Sequence, residues 1–281
     1  METNLQEMLQ AADRQNYAVG AFNVYNLEGI QAVISAAEQV RSPVILQLHP
    51  AAVKYGGKTL IAAARQAVQD CSVRALVHLD HATDRELILS CMQAGIRSVM
   101  ADGSHLSLDG NVAFTREIGN AAREQNAFVE AELGRLSGTE DGLSVAEYEA
   151  RLTDPAIAAA FVRDTGVHCL AVCIGNVHGH YRGEPRLDFG LLERIKEQVA
   201  VPLVLHGASG LSEEHIRKSI QLGIRKFNVN TEVRDAYLSA LSSALFEKPG
   251  MDLVELMSNA VARMRAVVIE KMNLFGSSGK D

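Results

Sequence analysis

The sequence predicts an α/β chain folded as a (β/α)8 barrel with one additional helix at each end. Three observations carry that reading. Eight short, apolar, β-rich runs recur along the 281 residues. Amphipathic segments with helical periodicity separate them. Polar and ionisable residues gather at one end of the runs, where barrel enzymes place their chemistry. Alternating strands and helices imply a parallel sheet, and near-continuous Val, Ile and Leu suit strands covered on both faces. An open doubly wound sheet is the competing architecture. It would show a glycine-rich turn after the first strand, and "FNVYNLEG" contains no G-x-G-x-x-G. The length suits one barrel domain spanning residues 1–281.

The N-terminal "METNLQEMLQAADRQNY" is polar and amphipathic, unlike the charged-then-apolar layout of a signal peptide. The first strand, "YAVGAFNVYN", leads into "LEGIQAVISAAEQV", whose Leu27, Ile30, Val33, Ile34 and Ala37 fall on one helical face. "PVILQLH", "RALVHLDH", "SVMADGSH" and "FVEAELG" read as the next four strands. After the fifth comes "GRLSGTEDGLSVAEYEARL", a connection of roughly 18 residues that is long for a compact domain and reads as a lid or binding loop. Its plainer reading is a solvated acidic loop. "TDPAIAAAFVRDTG" forms a helix with Thr153 as candidate N-cap and Gly166 as terminator. "CLAVCIGN" and "PLVLHGAS" are strands six and seven, and "LSEEHIRKSIQLGI" is a helix capped by Ser212 with Glu213 and Glu214 in its first turn. "KFNVNTEV" is the eighth strand. The final "MDLVELMSNAVARMRAVVIEKMNLFG" is a long amphipathic segment, suited to packing on its own barrel or to covering a partner.

A net charge of −7 with no basic block excludes a general nucleic-acid surface. No apolar run approaches the ~20 residues that cross a bilayer, so no membrane role and a cytoplasmic location are expected. Cys71, Cys91, Cys169 and Cys173 form no C-x-x-C pair and read as reduced structural thiols. Zinc chelation by Cys169 and Cys173 would need a third sulfur that the sequence does not supply nearby.

Asn23, His49, Asp80, His81, Asp102, Glu132, Asn176, His178, His206, Asn228 and Asn230 all fall at or just beyond a strand's C-terminal end. Within them, His81, His178 and His206 end three different strands, and three imidazoles with one open position is the pattern of a catalytic Zn²⁺. His180 competes with His178, because two residues along an extended segment the side chains point the same way. Asp80, beside one of these histidines, and Glu140, in the long connection, are candidates for proton transfer. "HGASG" (206–210) offers small residues whose backbone N–H groups can approach a phosphate, and "NVNTE" (228–232) lies where a helix begins. Barrels often bind phosphate after strands seven and eight. A lysine Schiff base is the alternative chemistry, but the sixth strand ends in "CIGNVHGH" and Lys226 stands at the start of the eighth strand.

The motifs "SPVILQLHPAAVKYGG", "HLDHA", "VEAELGRLSGTED", "AVCIGNVHGHYRGEP" and "VLHGASGLSEEHIRKSIQLGIRKFNVNTE" resemble the class II, zinc-dependent ketose-bisphosphate aldolases, the group of tagatose- and fructose-bisphosphate aldolases. The likeness runs from about Leu5 to the C-terminal "LFGSSGK". It implies a TIM barrel and reversible cleavage of a ketose 1,6-bisphosphate into dihydroxyacetone phosphate and glyceraldehyde 3-phosphate through a metal-stabilised enediolate. By position it makes His81, His178 and His206 the ligands of one zinc per chain. Asp80 becomes the acid–base residue at the aldehyde oxygen, and Glu140 the mobile-loop acid that takes the proton from dihydroxyacetone phosphate. Gly179, Gly207, Ala208, Ser209, Asn228, Val229, Asn230 and Thr231 match the phosphate-holding segments, and Asp102 and Glu132 the positions of a second metal in some members. The resemblance also implies Na⁺ or K⁺ use and a homodimer or homotetramer. His49 stands where members commonly carry a small hydroxyl residue, which makes it, with Asn23, a candidate for specificity. Ser137 replaces a loop glycine, and Asn176-Val177 replaces a frequent Thr-Ala pair. The alternatives are a related aldolase for another ketose 1-phosphate, differing in its aldehyde partner, and a non-catalytic aldolase-like subunit.

Overall fold

The computed structural model describes residues 3–141, 143–181 and 183–281, and the side chains of Glu140 and Leu143 also lie outside the described set. Numbered in chain order, the barrel strands are β1 (Val19–Asn23), β2 (Val44–Leu48), β3 (Ala75–Ala82), β4 (Ser98–Ala101), β5 (Phe128–Leu133), β8 (Cys169–Val172), β10 (Leu203–Leu205) and β11 (Ile224–Val229). They close in the order β1-β11-β10-β8-β5-β4-β3-β2, every neighbouring pair parallel. The helices between them are α2 (Leu27–Val40), α3 (Pro50–Asp70), α4 (Arg85–Gln93), α5 (Leu108–Glu124), α6 (Pro155–Thr165), α7 (Phe189–Gln198) and α8 (Glu213–Gln221). α9 (Thr231–Glu247) follows the last strand, and α1 (Leu5–Gln15) and α10 (Leu253–Leu274) are the additional terminal helices.

Strand alternation divides the barrel into two interiors. Val77, Leu79, Phe22, Leu46 and Val129 face outward into the core shared with the helices, beside Ile30, Val33 and Ile195. Inward, Val19, Ala21, Ile45, Leu76, Ala171 and Val204 form a separate apolar layer with Leu5, Met8, Leu9 and Ala12 of α1. The N-terminal helix therefore plugs the bottom of the barrel. Above that layer the inward positions turn polar: His78 and Asp80 on β3, Glu130 and Glu132 on β5, Lys226 and Asn228 on β11, all buried. α10 packs on α2 and α9 and buries Leu256, Ala260, Met264, Val268 and Met272, so its apolar face covers its own barrel.

Two expectations are corrected. The N-cap of α6 is Asp154, whose side chain accepts from Ala156 N and Ile157 N, with Pro155 at the first helical position. Thr153 Oγ1 donates instead to the Leu133 carbonyl at 2.5 Å and accepts from Cys173 N at 2.8 Å, tying β5 to β8. The long connection after β5 is not a structureless acidic loop. It folds as a hairpin of β6 (Ser137–Glu140) and β7 (Leu143–Val145), antiparallel with Glu140 opposite Leu143, followed by a short 3-10 turn at Glu147–Glu149. β6 also pairs in parallel with the two-residue strand β9 (Val177–His178), opposing Ser137 to Val177 and Gly138 to His178. No described helix is long and apolar enough to cross a membrane.

Candidate active site and metal centre

β3 ends by lifting His81 into the left-handed region, φ 44°, a conformation uncommon for a non-glycine residue. Its imidazole then lies over the barrel mouth. Nδ1 lies 2.8 Å from Asp102 Oδ2, which turns Nε2 toward His206. His206, just beyond β10, is set the same way from below, with Nε2 2.9 Å from Glu130 Oε1 and Nδ1 turned up toward His81. The two inner nitrogens, His81 Nε2 and His206 Nδ1, lie 2.9 Å apart. His178 comes from β9, its ring 4.8 Å from that of His81. Glu132 completes the cluster: its Oε2 makes no hydrogen bond although buried, and lies 3.5 Å from His206 Nδ1. Ligand atoms of His81, Glu132, His178 and His206 all fall within 4.8 Å of one another. Imidazole nitrogens and a buried Glu132 oxygen with no hydrogen bond, all turned on one point, are an arrangement that a bound cation would satisfy. Three imidazoles with an open position fit zinc, and the Glu132 oxygen lies beside them.

Of His178 and His180, it is His178 whose ring lies in the cluster. The His180 side chain is 78% exposed and pairs with Asp235 at 3.1 Å, pointing away from the cluster. Asp102, besides holding His81, accepts from Ser104 N at 3.1 Å. It braces a ligand, whereas Glu132 joins the histidines directly.

Asp80 is buried under the centre and accepts from three side-chain amides: Gln47 Nε2 at 2.9 Å, Asn228 Nδ2 at 3.1 Å and Asn23 Nδ2 at 3.3 Å. Burial alone would raise its pKa, but the positive field of His81, then of His206 and the Lys226 ammonium, outweighs that and holds the carboxyl below its ordinary value. Glu132 goes the other way. Burial, then the carboxylates of Asp102, Glu130 and Asp80, push it well above the usual range against the pull of His81. Two carboxyl groups in one site are thus shifted in opposite directions.

The amide contacts place Asn23 as a brace of Asp80, and Asn228 likewise. Asn230 turns the other way, its Nδ2 donating to Asp141 Oδ2 at 2.9 Å. Val229 faces the outer core, and the Ala208 N–H is taken by the Asn228 carbonyl at 3.3 Å. Gly179, Gly207, Ser209 and Thr231 remain around the mouth. Gly179 (φ 80°) and Gly207 (φ 66°) are obligatory, because a Cβ at either would meet Thr139 O at 2.7 Å or Val177 O at 1.9 Å. His49 caps α3, its Nδ1 accepting from Ala51 N at 3.2 Å. With His81, Asp102, Glu132, His178, Arg135 and Gly138 it lines a cleft of about 280 Å³ over the cluster. The Glu140 side chain lies outside the described residues.

With this geometry in hand, comparison with known proteins is decisive. A family model described as class II fructose-bisphosphate aldolase matches residues 3–280. The chain belongs to that family. It is 43% identical over 275 residues to the D-tagatose-1,6-bisphosphate aldolase subunit GatY of Klebsiella oxytoca, covering 97% of each chain. It is 39% identical over 282 residues to a fructose-bisphosphate aldolase of Geobacillus stearothermophilus, covering 99% of this chain and 98% of the relative. Its fold matches the YdjI aldolase of Escherichia coli K12 with a TM-score of 0.90 at 34% identity, covering 100% of this chain and 99% of that one.

The class II aldolase chain also holds residues that sequence reasoning missed. Lys226, expected at the start of its strand, is instead the third residue of β11, and its ammonium reaches inside the barrel to Glu130 Oε2 at 2.8 Å and Asn228 Oδ1 at 2.7 Å. Burial would raise the Glu130 pKa, but Lys226 and His206 hold it well below its ordinary value. Lys226 is thus engaged by Glu130 beneath His206, with Asn228 linking it to Asp80. Asp141, at the hairpin tip, was missed as well. Period-2 alternation with Glu132 and Asn228 was the available signal for Glu130 and Lys226; the Asp-Gly pair was the signal for Asp141.

Proposed function

We propose that this protein is a zinc-dependent ketose-bisphosphate aldolase. It reversibly cleaves a ketose 1,6-bisphosphate of the tagatose or fructose type into dihydroxyacetone phosphate and glyceraldehyde 3-phosphate. The observation that carries the proposal is the convergence of three histidines and Glu132 at the barrel mouth above a buried, ionised Asp80. His81, His178 and His206 would hold one zinc per chain, and Glu132 and Asp102 are the residues a second ion would meet. When bound, zinc supplies a Lewis acid that draws electron density from a substrate carbonyl.

The chain's own groups do the rest. Asp80, ionised and aimed by three amides, takes the proton of the C4 hydroxyl during cleavage and returns it to the aldehyde oxygen in condensation. Glu140 takes the proton from the reacting carbon of dihydroxyacetone phosphate in condensation and replaces it in cleavage. Gly179, Gly207, Ser209 and Thr231 form the rim that receives the phosphate, with backbone N–H groups and the start of α9 favouring an anion. Na⁺ or K⁺ belongs beside that phosphate. Residues 1–281 act as one barrel unit, in the cytoplasm, as a homodimer or homotetramer. Phe246, 88% exposed, with Leu245, Leu253 and Val254 also exposed, supports self-association through the α9–α10 corner.

The test is a coupled assay of the zinc-loaded enzyme with tagatose and fructose 1,6-bisphosphates, the epimers at C4. Cleavage of at least one is expected; cleavage of neither would contradict the proposal. A second reading, an aldolase for a different ketose 1-phosphate, is favoured by His49 in the cleft wall. Condensation of dihydroxyacetone phosphate with a panel of aldehydes separates the two.

A further inference from the structure

We infer that Asp141 is a positioning residue of the aldol reaction: its carboxylate latches the β6–β7 hairpin to the far side of the barrel mouth and so sets the place of Glu140. The inference rests on the reading that Glu140 is the acid at dihydroxyacetone phosphate.

The hairpin leaves the barrel from β5, and β5 stands four strands from β1 in either direction around the closed sheet. Its base is held beside the metal cluster, where Gly138 opposes His178. Its tip reaches the opposite rim. There Asp141 Oδ1 and Oδ2 lie 2.7 and 2.6 Å from Tyr25 Oη, just beyond β1. Asn230 Nδ2 donates to Oδ2 at 2.9 Å, and Arg234 donates to Oδ1 at 2.9 Å. His49 Nδ1 is 3.9 Å away. Charged hairpin tips normally sit in water, yet this side chain is only 5% exposed. A buried carboxylate with hydrogen-bond donors from several elements is held, not merely tolerated.

Three further features fit a latch. Glu140 pairs with Leu143, and Asp141, next to Glu140, has φ 46°, a left-handed conformation that aspartate tolerates better than most residues. Arg234 stands in the first turn of α9, where the helix dipole disfavours a cation, and the Asp141 carboxylate compensates it. A short hairpin is only marginally stable by itself. The latch therefore governs how much of the time the hairpin bridges the mouth. Consecutive Cα atoms are about 3.8 Å apart, so fixing residue 141 fixes the backbone of residue 140 with it.

The test follows deuterium uptake at the reacting carbon of dihydroxyacetone phosphate in D2O, with zinc-loaded enzyme and no aldehyde, so that proton transfer is read apart from carbon–carbon chemistry. Asp141→Ala, Arg234→Met and Tyr25→Phe are compared with wild type and with Glu140→Gln. Zinc content and amide hydrogen exchange over residues 137–145 are measured alongside. Latch variants are expected to slow uptake about ten- to a hundredfold at saturating ketone, the scale of an ångström-sized misplacement. They keep their zinc and lose amide protection in the hairpin. The Asp141→Ala/Arg234→Met double variant is expected to be no slower than the slower single, because both break one contact. Arg234→Met and Tyr25→Phe leave the turn residues intact and answer the question even where Asp141→Ala folds poorly. Wild-type uptake in all the latch variants, with Glu140→Gln nearly inactive, would overturn the latch and leave the Glu140 role standing. Wild-type uptake in Glu140→Gln would overturn that role instead.

Discussion

At the scale of single residues, the most informative group is Asp80. It is buried, ionised and aimed by Asn23, Gln47 and Asn228, with no direct place among the clustered ligand atoms. Asp80→Asn keeps the shape and removes the base. It is expected to retain zinc while turnover falls by about 10²- to 10⁴-fold, the usual worth of a positioned acid–base group. Metal analysis with steady-state kinetics checks this, and loss of zinc would make Asp80 a support of the ligands instead. His78 gives a pH prediction. Burial, then the nearby Lys226 ammonium, lowers its pKa to about 4 from the ordinary 6.5. The native imidazole is therefore neutral where the unfolded one takes up a proton. Stability contributed by His78 is full above pH about 6.5 and drains away as pH falls toward 4, by on the order of 3 kcal/mol. Urea unfolding of the metal-free protein across that window should show the slope, and His78→Gln should flatten it. An equal slope in the variant would refute the assignment.

At the scale of elements, the β6–β7 hairpin sets the site apart from a bare barrel mouth. Gly138 carries its close approach to β9: φ is 112°, and a Cβ would lie 2.1 Å from the His178 carbonyl. Gly138→Ala should lift the hairpin from β9 and lower turnover about tenfold or more. The thermal midpoint should move little, since no described side chain of the hairpin belongs to the apolar core. A large drop in midpoint with unchanged turnover would show the opposite division of labour. This element was also the least legible in the sequence. "SGTE" has no apolar face and "LSV" is too short to show a period, and their pairing partners come from each other and from Val177–His178. The barrel strands and the amphipathic helices were legible because their periodicity is local. The N-cap of α6 was missed by one residue, because Thr153 and Asp154 both suit a cap and only the contact of Thr153 with Leu133 decides between them.

At the scale of the whole molecule, the barrel is closed below by α1 and open above at a charged mouth. His81 and Asp80 were readable because a charged pair ends an apolar strand, a local anomaly. Alternation could place Glu130 and Lys226 inside the barrel but not pair them, since their contact spans 96 positions, and Asp141 meets Asn230 across 89. Charge complementarity over such separations exists only once the strands close. The exposed corner of Leu245, Phe246, Leu253 and Val254 belongs to this scale too. Phe246→Asp is expected to shift the native species from dimer or tetramer to monomer in sedimentation, with the barrel still folded. A wild-type protein that sediments as a monomer would remove the self-association proposal.

The central claim is that the cluster of His81, Glu132, His178 and His206 is a zinc site on which catalysis depends. Its most direct measurement is ketose-bisphosphate cleavage by the same preparation before chelation, after complete metal removal, and after Zn²⁺ is restored, with metal content quantified at each stage. The account predicts about one zinc per chain at the outset, loss of cleavage on removal and recovery on replenishment. Full cleavage by protein shown to be metal-free would contradict it.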